Sequence, residues 1–153
     1  VYSTPALPTF TSFAGIEAIA SSPWAYPVLE SLHIIGIGLL LGSLVLLELR
    51  VWGQAVALPV QALARLALPV TVAGFALAVL SGLLLFAAAP AELLAKRLFI
   101  LKMGLLMLAG LNAMWFHARH GLQRLDGVAR AQALLSLVLW AAVIFSGRWL
   151  AYV

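Results

Sequence analysis

Cysteine does not occur in this chain of 153 residues. Its absence excludes disulfides, thiolate metal sites and c-type haem attachment, all of which need the residue. Charge is nearly as scarce: only 9% of residues are Asp, Glu, Lys or Arg, against about 25% in an ordinary soluble domain. The five acidic residues are spread along the chain, so there is no paired-carboxylate site. No Ser-His-Asp set at a shared depth and no phosphate loop is present, and hydrolysis by those routes is not expected. No basic cluster with interleaved aromatics points to nucleic acid. Residues 1–22 have neither a basic start nor a long apolar core, so they do not read as a signal peptide.

What is abundant is apolar surface. Hydrophobic residues make up 65% of the chain, too much for a soluble fold of this length to hide but acceptable in lipid. A spanning helix needs about 20 mostly apolar residues, and four such segments occur. The first runs from Pro23 to about Leu49, with Ser21 or Ser22 as cap and Pro23 at the first helical position. The second runs from about Arg65 to Ala88, with Pro69 in its first turn or so. The third begins near Pro90 or Ala91 and reaches His117, with Glu92 favourably placed in its first turn. The fourth runs from about Val128 to Tyr152. Short loops make sequential helices antiparallel. Phe10, Phe13, Ile16 and Ile19 have helical spacing, and Phe10–Ala20 is expected to lie as a short interfacial helix. The predicted fold is all-α: an antiparallel four-transmembrane-helix bundle (23–153) behind an extracytoplasmic N-terminal segment (1–22).

Four spans place both termini on one side. The far-side loops carry Arg50, Arg65, Arg119, Arg124 and Arg130. The near side carries Lys96 and Arg97, offset by Glu17, Glu30 and Glu92. The positive-inside rule then makes both termini periplasmic in a bacterial inner membrane. Small residues suggest where helices approach: Gly38 and Gly42 on the first, and Gly74, Ala78 and Gly82 on the second.

Ionisable groups at membrane depth are costly and are functional candidates. The stretch "VLESLHIIGIGLLLGSLVLL" places His33 about 15 Å into the first helix. Lys102 falls at a similar depth in the third, Arg148 approaches from the fourth, and Glu30 is one turn above His33. His117 and His120 close the third helix at the other end. His117 lies roughly 20–25 Å further across than His33, so one chain cannot hold a haem between them. A haem on His33 needs another second ligand, an open position, or His33 of a second subunit. A separate pattern, Met103, Met107, Gly110, Met114 and His117 on one face, offers thioether and imidazole ligands to copper(I), and Met114 is a conceivable axial haem ligand.

The motif "LESLHIIGIGLLLGSLVLLELR" resembles the opening of a superfamily of small bacterial membrane proteins. That superfamily includes the HemJ-type protoporphyrinogen oxidases and the copper resistance protein D-like proteins. The positions that carry the resemblance are His33, Gly42 and Arg50, with Lys102 in "LFILKMGLL" matching a lysine near the start of the third helix. The chain looks closer still to a four-helix family of no assigned activity, with the same "SLHI" start and a "FHAR"-like end to its third helix. The resemblance implies b-type haem with His33 as ligand and Lys102 as partner of a propionate or substrate carboxylate. Arg148 and Trp149 are further candidates for the propionates. The expected function is that of a b-type cytochrome-like protein passing electrons between a quinone and a periplasmic or membrane partner, with a second metal site conceivable at His117 and Met114. Porphyrinogen oxidation, copper handling, and a non-catalytic accessory role in a larger membrane complex are the alternatives. Besides membrane lipid, the expected partners are quinone and either a second copy of the chain or a larger complex.

Overall fold

A computed structural model describes residues 22–150 and 152. Among them are six helices and no strand: α1 (Ala25–Val51), α2 (Val60–Ala88), α3 (Pro90–Ala95), α4 (Arg97–Ala118), α5 (Gly121–Arg124) and α6 (Gly127–Trp149). The expected interfacial helix at 10–20 lies outside the described residues. Helices α1, α2, α4 and α6 are each long and apolar enough to cross a membrane. Their outward surfaces are apolar as well, with Ile34, Leu46, Leu66, Val72, Leu80, Ile100, Leu111 and Phe145 exposed. Helices that are apolar all round belong in lipid, and the chain is a multi-pass, all-α membrane bundle.

The helix ends differ from the sequence reading in instructive ways. Helix α1 ends in a Schellman turn: Gly53 N–H bonds to Arg50 O at 3.1 Å and Gln54 N–H to Leu49 O at 3.0 Å. Gly53 has φ +98°, which glycine tolerates without steric cost. Helix α2 starts directly after Pro59, so Pro69 lies within the helix and beyond its first turn. The expected third span is two helices, because Lys96 is extended at φ −85°, ψ 117° and separates α3 from α4. Helix α6 is capped by Asp126, whose side chain accepts from Ala129 N–H at 2.8 Å, the ordinary N-cap bond.

Packing is pairwise. Helix α1 lies along α2, α4 lies along α6, and α1 also meets α6. Helices α2 and α4 share no extended interface; they approach where the α3 turn brings Phe86 onto Phe99, with ring centroids 5.5 Å apart. The α1–α2 contact is very close. A β-carbon on Gly36 would stand 2.6 Å from Ala78 N, and one on Gly74 would stand 2.5 Å from Leu40 N. Two backbones touch there, as small residues in membrane helices permit. The second-helix half of the expected small-residue contact is thus present, but its first-helix partner is Gly36. A β-carbon on Gly38 or Gly42 would meet nothing from another element within 4 Å. Two clusters of buried apolar side chains lie at one end, around Leu47, Ala64 and Ala67 and around Val51, Ala129 and Ala133.

Candidate functional site

His33 sits in the α1–α2 seam, one turn of α1 before Gly36. The glycine contact brings the α2 backbone within reach of the ring. His33 Nδ1 lies 2.8 Å from Ala78 O and 3.2 Å from Ser81 Oγ. A carbonyl can only accept, so Nδ1 carries the proton and the Nε2 lone pair is left for another partner. Ser81 spends its own hydroxyl proton along its helix, 2.6 Å from Leu77 O. Gly82 closes the cradle: a β-carbon there would stand 3.0 Å from His33 Cε1. The motif "ALAVLSG" therefore supplies a carbonyl, a hydroxyl and a gap to one imidazole. Reading the sequence for small-residue stripes found Gly82 but not its task, which depends on the register of α1 against α2.

Lys102 lies about 8 Å from the start of α4 and turns inward. A β-carbon on Gly147 of α6 would stand 3.3 Å from its Nζ, so glycine at 147 is what gives the ammonium room. The ammonium is close enough to the His33 ring for the two to interact electrostatically. Among the described residues it has no hydrogen-bond or ion-pair partner. His33 lies on the α1–α2 seam and Lys102 beside α6, on opposite helix pairs.

The other candidates lie elsewhere. Arg148 is exposed, donates to the Tyr152 hydroxyl at 2.7 Å and stacks over its ring at 5.1 Å. Trp149, next in the chain, is exposed, and Glu30 on α1 is exposed too. These residues form the aromatic and polar rim of that end. His117 is exposed and turned back on its own helix, Nδ1 lying 2.9 Å from Ala113 O. Met107 and Met114 are each 70% exposed, so the methionine face of α4 looks outward. Among the described residues no three His, Asp or Glu side chains cluster as metal ligands.

A polar set that the sequence reading passed over lies at the opposite end of the bundle. Glu48, Asn112 and Gln132 are 5%, 8% and 5% exposed, on α1, α4 and α6. Asn112 Nδ2 donates to Gln132 O at 2.9 Å, and the Glu48 carboxylate lies against Ser136. Arg119 donates to Gln132 Oε1 at 3.3 Å and pairs with Asp126 at 3.1 Å. In sequence Glu48 stands in "LLELR", two residues before Arg50, where nothing in the pattern marks it as buried.

No family model matches the chain, and neither does any curated protein or solved structure.

Proposed function

We propose that the protein is a small b-type cytochrome-like component of a bacterial inner membrane, with its termini on the periplasmic side. It holds one haem through His33 and passes electrons between a quinone and a periplasmic or membrane partner. The observation that carries this reading is the His33 Nδ1 bond to Ala78 O. Imidazoles that ligate metals commonly donate their other ring N–H to a carbonyl, which fixes tautomer and ring orientation. Here the bond comes from a neighbouring helix and is braced by the gap at Gly82.

The residues present fit such a group. Among the described residues His33 Nε2 has no hydrogen-bond partner and Lys102 has no counter-charge, and the α2 and α4 sides share no extended interface. The haem supplies one-electron redox chemistry when bound. The protein's own share is to hold the imidazole in one tautomer, to offer Lys102 to a propionate, and to exclude water with lipid-facing helices. Arg148 is committed to Tyr152, so Lys102 is the stronger propionate partner.

The same pair of residues also supports porphyrinogen oxidation, in which Lys102 would meet a substrate carboxylate. The readings separate in one set of experiments. The detergent-purified protein gives a b-type reduced-minus-oxidised spectrum, and His33→Ala abolishes it; full haem content in that variant overturns the assignment. If the chain also rescues a strain lacking porphyrinogen oxidation, and Lys102→Met stops the rescue without removing haem, the oxidase reading replaces electron transfer.

A further inference from the structure

Between α4 and α6 a shallow groove of about 210 Å³ opens outward. Buried Leu139 and Asn112 form its floor, and exposed Leu108, Leu111, Trp115 and Leu135 form its walls. Along the axes, Trp115 stands about 5 Å and Leu108 about 15 Å from the end of α4, and Leu139 about 18 Å from the start of α6. The hydrocarbon core of a bilayer is about 30 Å thick. The groove therefore descends from one membrane face to about the midplane, which is the depth of a single leaflet. An apolar furrow of that depth fits one acyl chain.

The mouth of the groove is positively charged. Arg119, one turn past Trp115, pairs with Asp126 at 3.1 Å and so links the end of α4 to the start of α6. Arg124 is exposed and close enough to Asp126 to act on its charge. Among the described residues Arg124 has no ion pair of its own. Two guanidinium groups thus face one carboxylate, and a positive charge is left over. A basic group at the membrane surface attracts anionic lipid, and a guanidinium matches the geometry of a phosphate. Trp115 adds an amphipathic ring of the kind that sits at headgroup level.

Other cations of this end are placed differently. Arg50 donates to Leu58 O and Arg65 turns back towards Gln61 O. Arg130 is exposed, but it lies about 140° around α6 from Leu135 and about 180° from Leu139, away from the groove.

We propose that the α4–α6 groove binds one anionic phospholipid, an acyl chain lying along Leu108, Leu111 and Leu135 and the phosphate held by Arg124 with Arg119 at the mouth. The site stands on the membrane reading alone. It is independent of haem and of which leaflet is cytoplasmic.

The test is native mass spectrometry of the protein released from mixed micelles. These hold equal amounts of dioleoyl phosphatidylglycerol and dioleoyl phosphatidylcholine, which share chains and differ in charge. Wild type retains one phosphatidylglycerol per chain, preferred roughly five-fold or more, the weight of one arginine against an anionic lipid. Arg124→Gln removes that preference, and Arg130→Gln, an equal loss of charge off the groove, keeps it. Leu135→Trp fills the groove and abolishes retention of both lipids. Equal retention of the two lipids by wild type overturns the proposal, however the variants fold. Equal losses in Arg124→Gln and Arg130→Gln reveal a diffuse attraction and overturn the site, as does lipid that stays on Leu135→Trp. A lipid-free dimer assigns the groove to a second copy of the chain and overturns it too.

Discussion

The His33 ring lies 3.0 Å from where a β-carbon on residue 82 would stand, a contact tighter than side chains normally make. Gly82→Val therefore displaces the imidazole from Ala78 O. Under the haem reading this variant loses most of its haem in quantified spectra, whereas Ser81→Ala, which removes only the longer 3.2 Å neighbour, keeps most of it. Asp126 makes a second residue-scale case. The Ala129 N–H it accepts, and then the Arg119 guanidinium beside it, hold its carboxyl below the usual carboxylate range. Its native pKa lies below its unfolded value, so its stabilisation is complete above the unfolded pKa, about 3.9. That stabilisation is lost as the pH falls through the native value. Asp126→Ala lowers Tm at neutral pH, and Asp126→Asn, which keeps a capping oxygen, lowers it less. The gap between wild type and Asp126→Asn closes in acid, as melting curves across pH will record.

At the scale of the element, α1 and α2 form the firmest unit. Gly36 and Gly74 bring the two backbones together, and Ser43 and Thr71 add a hydroxyl bond of 2.7 Å across the same seam. Interhelical hydrogen bonds in lipid average about 0.6 kcal/mol, so backbone packing carries more of this contact than the hydroxyls do. Gly36→Ala drives a methyl into Ala78 N, and neither backbone can yield without parting the helices. Overpacking of this kind costs about 1–3 kcal/mol. Gly38→Ala and Gly42→Ala meet open space and leave stability unchanged. Unfolding of the three variants in mixed micelles checks the contrast. Because His33 reads the α2 carbonyls through this seam, Gly36→Ala also weakens any haem held by His33.

For the whole molecule, two antiparallel pairs, α1–α2 and α4–α6, meet mainly through α1 and α6. The bundle has two polar levels: His33 and Lys102 near one end, and Glu48, Asn112 and Gln132 near the other. The arginines at the Glu48 end, among them Arg65, Arg119, Arg124 and Arg130, outnumber the cations at the other, where Lys96 is paired with Glu92 at 3.3 Å. By the positive-inside rule that asymmetry predicts termini on the side away from the cytoplasm. Alkaline phosphatase fused to either terminus is active, and a fusion in the α1–α2 loop at Gln54 is not; the reverse pattern inverts the topology.

By itself the sequence determined that this chain lives in lipid, that it crosses four times, and which side carries the positive loops. Those properties follow from segment length, apolar content and charge count, which do not depend on how helices face one another. It also led to the expectation of a common depth for His33 and Lys102, since depth is position along a helix axis. The tertiary structure decided the rest. In a helix apolar on every side, no pattern marks the face that packs, so Gly36 could not be told from Gly38 and Gly42. Rotation and register about each axis turned the methionine face of α4 outward and buried Glu48. They also brought Ala78 O to His33, a contact between helices 45 residues apart in the chain that only close backbone packing can make.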